Sequence, residues 1–396
     1  MKTIAIVNIN PDTFTNPTLV ELISQLGASG NKVLLFCRED HDPVPERFSF
    51  VRLFAIPPYY GRLSWRPSVI RETKGAYHKA EEILTEEKVV SLLGVDPIGF
   101  LIAARLKRPA GCKLGNLSFE IFFKNELESQ RNEKFLTIHR LHKKKCHGDV
   151  DFLVIQDDIR EQDFFKENGI GADRFKRIFR VPVAPMRSDL PKAENLHKRL
   201  GIPEDRKIIC HSGHVSEWTG ISRILDALEN DWDDHFWLLI HARNPLDPQN
   251  TLRIRMEDLQ QKGRPLTLHT HVFPDYRAYE AFLSGADAGL AMYIPDFAGG
   301  PHVGRNIGNI GLASGKFSTY MKLGIPTITT DGGVYPSLNQ TYHFGAVWPD
   351  GAPFRPCLAQ LKEGLPDMKH GAEKLYAEVL DPETRLKEMI DYLCAS

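Results

Sequence analysis

The sequence lacks three features that would assign the chain to particular classes of protein. Its 50 basic residues balance 51 acidic ones, and the net charge of -1 gives no support to a nucleic-acid partner. Its six cysteines include no CxxC pair, which argues against a zinc site or a disulfide framework and favours a reducing compartment. No apolar run approaches membrane-spanning length, and the opening MKTIAIVNIN indicates a strand rather than a signal peptide. We therefore expect a cytoplasmic protein.

What the chain does contain is a regular alternation of short apolar runs with segments of helical period along its 396 residues. This alternation predicts parallel sheets covered by helices, an α/β fold, and the length predicts two domains. Residues 1–185 form the predicted first domain and residues 198–380 the second, with VPVAP and a polar stretch between them. Residues 381–396 contain a predicted final helix.

The most informative stretch runs from residue 306 to residue 333, where a glycine-punctuated loop precedes a short helix and a buried strand. The glycines let the backbone pass close to a ligand, and Ser314, Gly315 and Lys316 stand where the helix begins. Free N–H groups and the positive end of the helix dipole meet there, and Lys316 adds a full charge. The pattern predicts a phosphate or diphosphate site; an ordinary loop-to-helix turn with a solvated lysine is the alternative.

This segment resembles the helix, turn and strand that hold the nucleotide sugar in glycosyltransferases of the B fold (GT-B). The resemblance is to the retaining glycosyltransferase family 4, which includes many bacterial polysaccharide enzymes. Its pattern Lys-x-x-Glu-Tyr-Met-x-x-Gly-x-Pro is matched by Lys316, Tyr320, Met321, Gly324 and Pro326. The resemblance implies two Rossmann-like, doubly wound domains that face a cleft, the first for an acceptor and the second for a nucleotide sugar. It also implies that the 381–396 helix crosses back to the first domain.

Several positions depart from the family pattern. Thr319 stands where the family has the glutamate that holds the donor ribose, and Gly311 stands where the first glutamate of the Glu-x7-Glu version lies. The loop 213–220 resembles the family's diphosphate loop, with His214 and Thr219 in place of its arginine and lysine. A neutral His214 would supply a hydrogen bond but no net charge.

Charge for a diphosphate must then come from elsewhere. Lys316 ranks first, followed by Arg243 after a predicted strand and by Arg305 in the glycine-rich region. The resemblance places the base near the backbone of Val272. The predicted donor-binding set is His214, Arg243, Val272, Arg305, Asn306, Asn309, Gly311, Ser314, Gly315, Lys316 and Thr319. We expect neither a metal nor a cofactor besides the nucleotide sugar, because the helix dipole and cations would stabilise the leaving diphosphate.

In the first domain, two carboxylates are candidates for catalysis. Glu120 follows the end of a predicted strand and could deprotonate or orient the acceptor hydroxyl. Asp96 follows another strand and is the rival, although an aspartate before a proline is also an ordinary helix cap. In retaining transferases the leaving phosphate is often the base itself, so a reaction without a protein base stays open.

A basic run, RLHKKK at 140–145, lies on a predicted helix with Phe135, Ile138 and Leu141. It predicts either contact with anionic lipid at the inner face of a membrane, where a lipid-linked acceptor would be met, or a solvated helix face.

The resemblance implies a metal-independent, retaining glycosyltransferase that moves a sugar from a nucleotide-sugar donor to a glycan or lipid-linked acceptor in cell-surface polysaccharide assembly. Two alternatives stay open. A sugar-nucleotide epimerase of the same fold would need carboxylates and histidines at the donor site. A non-catalytic binding or scaffold protein is favoured by His214, Thr219 and Thr319.

Overall fold

The computed structural model describes residues 1–10, 13–41, 43–57 and 67–395, without the side chains of 67–72. The chain divides into two compact units. Unit 1 comprises Met1–Met186, Phe297–Asn306 and Pro382–Ser396, and unit 2 comprises Arg187–Asp296 and Ile307–Asp381. The predicted second domain, 198–380, included residues 297–306, which the structure groups with unit 1.

Unit 1 contains a sheet of seven parallel strands in the order β3-β2-β1-β4-β5-β6-β7. The strands are β1 Thr3–Val7, β2 Lys32–Cys37, β3 Val51–Ala55, β4 Val89–Val95, β5 Lys113–Leu117, β6 Phe152–Ile155 and β7 Arg177–Arg180. The helices are α1 Pro17–Ala28, α2 Pro67–Glu86, α3 Asp96–Ala103, α4 Lys124–Ser129, α5 Glu133–Cys146, α6 Asp158–Asn168 and, from the end of the chain, α15 Glu383–Cys394.

Both faces of this sheet are covered, which explains why the last four residues of β1, Ile4 to Val7, are all apolar. Ile4 and Ile6 pack in the layer that contains Leu386 and Leu393 of α15. The intervening Ala5 and Val7 belong to the core on the opposite face. The C-terminal helix is therefore part of the core of unit 1.

Unit 2 contains a sheet of six parallel strands in the order β10-β9-β8-β11-β12-β13. The strands are β8 Lys207–Ser212, β9 Phe236–Ala242, β10 Leu266–Thr270, β11 Ala288–Ala291, β12 Thr327–Thr330 and β13 Gly345–Trp348. The helices are α7 Leu196–Leu200, α8 Ile221–Asn230, α9 Thr251–Gln261, α10 Tyr276–Leu283, α12 Gly315–Lys322, α13 Tyr335–Tyr342 and α14 Arg355–Leu375. The short helix α11, Arg305–Gly308, contains the boundary between the two units. The predicted α/β class with two doubly wound parallel sheets is confirmed.

The basic helix α5 presents its apolar side to the protein. Ile138 is buried with Leu101, Phe122 and Leu127, and Phe135 and Leu141 pack against the same cluster. Ile138 is therefore unavailable to lipid, whereas Phe135 and Leu141 are only partly buried, and contact of α5 with anionic lipid stays a prediction. Among the described helices, none combines the length and the apolar character that crossing a bilayer requires.

Candidate functional site

The amino terminus of α12 leaves two backbone amides free. Ser314 is the N-cap, and its hydroxyl accepts the N–H of Phe317 at 3.0 Å and also bonds to the Tyr293 hydroxyl. The N–H groups of Gly315 and Lys316 have no hydrogen-bond partner among the described residues. Ser314 thus builds the helix start, while the next two amides remain available at the positive end of the helix dipole.

The Lys316 amine has no counter-ion in the described part of the chain. It lies 3.5 Å from His211 Nε2 and 5.9 Å from the centre of the Tyr293 ring. His211 Nε2 donates to the carbonyl of His214 at 3.0 Å, so that nitrogen cannot also accept a proton from the lysine. Burial lowers the pKa of Lys316 to about 7. The start of α12 therefore offers an anion two free amides, and the second residue of the helix adds an unpaired amine.

His211 is a residue of the site that sequence analysis missed. It is fully buried at the end of β8, and its Nδ1 has no hydrogen-bond partner among the described residues. Burial, followed by the charge of Lys316, places the pKa of His211 well below its usual value. The neutral ring therefore adds no charge to the site. No local signal identified it, because KIICHS reads as an ordinary buried strand.

The loop 213–220 supplies no side-chain cation to the candidate anion site at the start of α12. His214 is exposed and stacks on Trp218, with ring centres 5.6 Å apart. Thr219 is buried, and its hydroxyl donates to the Ser216 carbonyl at 2.7 Å. Thr219 therefore closes a turn rather than facing a ligand.

The remaining predicted donor residues of unit 2 differ in accessibility. Arg243 is exposed and forms no hydrogen bond or ion pair within the described ranges. Val272 keeps 55% of its surface exposed. Asn309 and Gly311 lie against the turn at Gly333, and the Gly311 carbonyl accepts the Tyr335 hydroxyl at 3.0 Å. Arg243 is thus a second available cation, whereas Gly311 belongs to the loop framework.

Two predicted donor residues lie in unit 1. The Arg305 guanidinium pairs with Asp163 and lies 5.2 Å from the centre of the Phe123 ring. The Asn306 side chain accepts the N–H of Ile121 at 3.0 Å and donates to the same residue's carbonyl at 2.7 Å. These contacts join the segment 297–306 to unit 1, and they engage both side chains within that unit.

Thr319, the position of the family's ribose-binding glutamate, is only 2% exposed. Its hydroxyl donates to the Gly315 carbonyl at 2.7 Å and lies 2.6 Å from the hydroxyl of Tyr276, the first residue of α10. Tyr276 is 37% exposed. The accessible member of the pair is thus a tyrosine that sequence analysis did not select.

Asp96 occupies an uncommon backbone conformation, with φ of 58°. Its Oδ1 accepts the N–H groups of Phe119 at 2.8 Å and Glu120 at 2.9 Å. It makes no side-chain cap to its own helix, so the alternative that Asp96 is an ordinary helix cap is wrong. Burial, and then the charge of Glu120, raise the pKa of Asp96 to about 7.

Glu120 is joined to a second residue that sequence analysis missed, His302. The distance from His302 Nδ1 to Glu120 Oε2 is 3.6 Å, and this oxygen has no hydrogen-bond partner among the described residues. Burial opposes the charged imidazole, but the carboxylates of Glu120 and Asp96 outweigh it and raise the pKa of His302. The structure therefore brings both predicted catalytic carboxylates together and adds a histidine from the segment 297–306.

No group of three or more histidine, cysteine, aspartate or glutamate side chains suited to a metal ion occurs among the residues that the structure describes.

Neither a family model nor a curated protein matches the sequence. Solved structures, in contrast, match nearly the whole chain. Sucrose-phosphate synthase from Thermosynechococcus elongatus is 16% identical, with 98% of this chain and 97% of that chain covered and a TM-score of 0.71. HepE from Anabaena in complex with UDP is 14% identical, with 99% of each chain covered and a TM-score of 0.69.

WaaG, a glycosyltransferase involved in lipopolysaccharide biosynthesis, is 14% identical, with 99% of this chain and 100% of that chain covered and a TM-score of 0.64. At such low identity the similarity is one of fold. The chain has the GT-B fold, with one parallel α/β sheet in each of its two units.

Proposed function

We propose that this protein is a glycosyltransferase that binds a nucleotide sugar in unit 2 and transfers the sugar to a glycan or lipid-linked acceptor. The observation that carries the proposal is the start of helix α12, where the amides of Gly315 and Lys316 are free and the amine of Lys316 has no counter-ion among the described residues. A diphosphate supplies the missing negative charge. HepE, which shares the fold, has been solved with UDP and with UDP-glucose, and this supports a nucleotide sugar as the ligand.

The chemistry follows from where negative charge develops. As the bond from the anomeric carbon to the diphosphate breaks, charge grows on the leaving phosphate oxygen. Two fixed amides, the helix dipole and Lys316 would stabilise that charge without a metal ion. Arg243 would contribute a further positive charge. We propose that the reaction proceeds with retention, as the family resemblance implies, and that it contributes to cell-surface polysaccharide assembly.

For the acceptor we propose Glu120, with Asp96 as the neighbouring carboxyl. A pKa of about 7 lets Asp96 hold or release a proton near neutral pH, and its two backbone hydrogen bonds fix the loop that contains Glu120. His302 lies 3.6 Å from the Glu120 carboxylate. The three side chains are suited to orienting an acceptor hydroxyl and to removing its proton.

A non-catalytic nucleotide-binding protein is the second candidate, and one observation favours it. The loop 213–220 contributes no side-chain cation, because His214 stacks on Trp218 and Thr219 is buried in a turn. The weaker positive charge of such a site would stabilise a leaving group less than the arginine and lysine of the resembled family.

The test is a panel of UDP-, GDP- and ADP-sugars, examined first for binding by calorimetry and then for single-turnover hydrolysis or transfer. Binding followed by release of the nucleoside diphosphate supports a transferase. Binding without any turnover supports the non-catalytic candidate. A change in the sugar without cleavage from the nucleotide would indicate an epimerase, and absence of binding by every donor would contradict the proposal.

A further inference from the structure

A small cavity in unit 1 is bordered by Glu120, the carboxylate proposed to act on the acceptor. The volume open to the centre of a water molecule is about 10 Å³, which is enough space for one water. Three further polar side chains border the cavity: His139 and His142 of α5 and Asn168 of α6. The remaining bordering side chains are apolar. A side chain that holds a water here must therefore be one of these four.

Two of the four polar side chains are already engaged with other groups. His142 Nδ1 bonds to Asn168 Oδ1 at 3.1 Å, and His142 Nε2 lies 3.1 Å from the side-chain amide of Asn116. The Asn168 amide donates to a backbone carbonyl one helical turn earlier, at 2.9 Å. The polar atoms that still need a partner at this cavity therefore belong to Glu120 and His139.

Glu120 and His139 each contain buried atoms without a hydrogen-bond partner among the described residues. These atoms are Glu120 Oε2 and both ring nitrogens of His139, a residue that is only 4% exposed. Leaving a buried polar group unsatisfied costs about 1–3 kcal/mol. Internal waters in proteins typically bond to such groups, and they need at least two polar partners. A water in the cavity that bonds to both residues would remove much of this cost.

The protons of such a water follow from the contact on the other side of the His139 ring. His139 Nε2 lies 3.5 Å from Glu167 Oε2. Burial opposes the charged form of Glu167, but contacts with His139 and with the Lys124 N–H outweigh burial and lower the pKa of Glu167. An ionised carboxylate only accepts, so the ring proton belongs on Nε2 and leaves Nδ1 as an acceptor. A water can donate one proton to Nδ1 and the other to Glu120 Oε2.

We propose that this cavity binds one water molecule that donates to Glu120 Oε2 and to His139 Nδ1, and that His139 thereby orients the Glu120 carboxylate. With Oε2 bonded to the water, Oε1 is the oxygen that receives the proton of the acceptor hydroxyl. His139 is a positioning residue, because it acts through the water and Glu120 and does not touch the substrate. Glu167 fixes the tautomer of His139. The inference rests on the proposed role of Glu120 and names the groups that support it.

A crystal structure of the wild-type protein, at a resolution that shows ordered waters, tests the water site without any substrate. We expect one water in the cavity, within about 3.2 Å of both Glu120 Oε2 and His139 Nδ1. A cavity without an ordered water, or a water that contacts only one of the two residues, would overturn the inference.

The kinetic test is a double-mutant cycle with Glu120→Gln. His139→Phe keeps an aromatic ring but removes both nitrogens, and kcat should fall about threefold to tenfold, the range of one ordinary hydrogen bond. Donor affinity, measured by calorimetry, should not change. In the Glu120→Gln background the same substitution should lower the residual rate by less than about twofold, because the carboxylate through which His139 acts is gone. A merely structural role would lower the rate equally in both backgrounds.

Two further variants complete the cycle. His139→Gln has an amide that can accept from the water and donate to Glu167, so it should retain most of the wild-type rate. It also provides a second variant if His139→Phe does not fold. His147→Phe is the matched control, because His147 follows the end of α5, is exposed and does not border the cavity. This variant should have the wild-type kcat.

The outcomes separate this inference from the role of Glu120 on which it rests. Equal losses from His139→Phe in both backgrounds would overturn the inference and leave the role of Glu120 intact. If Glu120→Gln itself transfers sugar at the normal rate, the proposed role of Glu120 fails and the inference fails with it. An ordered water between the two residues supports the inference, together with a loss that requires Glu120 and that is absent from His139→Gln.

Discussion

Helix α12 carries a lysine at each end, and their surroundings differ in one decisive respect. Lys322 and Glu280 form an ion pair at 2.6 Å with both side chains 4% exposed, and Lys322 also donates to Ser188 at 2.9 Å. Lys316 has no carboxylate partner among the described residues, and its amine faces a histidine that is already donating elsewhere. The comparison indicates that a lysine whose counter-ion comes from the protein itself has a structural role. A lysine without such a counter-ion is suited to binding an anionic ligand.

The carboxylates show the same contrast. Glu280 is buried and bonded directly to Lys322. Glu120 has only a 3.6 Å contact with His302, and the oxygen concerned accepts no hydrogen bond within the described ranges. Lys316 of unit 2 and Glu120 of unit 1 are therefore incompletely paired, and we propose that each acts on a substrate.

We expect the largest effect from removing one member of the Lys322–Glu280 ion pair. Lys322→Met should reduce the free energy of unfolding by about 3–5 kcal/mol, because Glu280 would remain buried without compensation. Urea unfolding followed by tryptophan fluorescence suits the measurement. The fluorescence reports mainly on unit 2, which contains four of the five tryptophans: Trp218, Trp232, Trp237 and Trp348.

The double variant Lys322→Met/Glu280→Leu is the control. Replacing both charges by apolar groups should restore most of the lost stability, since neither charge is then left alone. A double variant as unstable as the single one would mean that packing, rather than the ion pair, determines the effect.

Replacing the incompletely paired Glu120 should lower the rate of turnover rather than the stability. Glu120→Gln keeps size and hydrogen-bonding capacity but removes the charge, and we expect kcat to fall by at least roughly a hundredfold if Glu120 is a general base. Donor affinity, measured by calorimetry, should not change.

Glu128→Gln provides a comparison, because Glu128 lies in the same unit and pairs with the exposed Lys124. A normal rate in Glu120→Gln would exclude this carboxylate from the reaction and make Asp96 the next residue to replace.

Replacing the unpaired lysine should separate binding from stability. Lys316→Gln should weaken UDP binding by about 1.5–3 kcal/mol, the range of a charge-assisted hydrogen bond. The unfolding midpoint should not fall, because no ion pair is lost. Calorimetry tests the predicted loss of affinity, and urea titration of the same preparation tests the predicted unchanged stability. Loss of stability with unchanged affinity would reverse the roles that we assign to the two lysines.

The smallest effect is a pH dependence of donor binding. In the free protein the pKa of Lys316 is about 7, and a bound diphosphate would raise it by favouring the charged amine. Below pH 7 the amine is charged in both states and contributes no pH dependence. Above pH 7 binding must take up a proton, so affinity should fall by up to about tenfold per pH unit.

Lys316→Gln again supplies the control, because it retains the titration of the ligand phosphate but not that of the amine. The difference between the two pH profiles isolates Lys316. Identical profiles would show that the amine does not change its protonation on binding.

Much of the fold was predictable because it depends on local patterns. The strands β2 and β4 are short, mainly apolar runs, and helix α12 starts at the predicted glycine after a serine cap. Hydrogen bonds that close a helical turn involve residues close in sequence, so their signals survive in a short window. The position of Lys316 at a helix start was predictable for the same reason.

Which side chains pair with one another was not predictable from any short window of sequence. Arg305 was ranked as a ligand cation by its glycine-rich context, yet its guanidinium pairs with Asp163. Tyr276 was absent from the predicted site, although its hydroxyl contacts Thr319.

By itself, then, the sequence determined the α/β alternation, the start of α12 and the amino acids that carry charge. Tertiary structure alone decided which charges are neutralised within the protein. Lys316 and Lys322 lie on one helix and have the same side chain, and only the packing of α10 against α12 gives Lys322 a carboxylate. The physical reason is that an ion pair depends on the distance between side chains in space, which is unrelated to their separation along the chain.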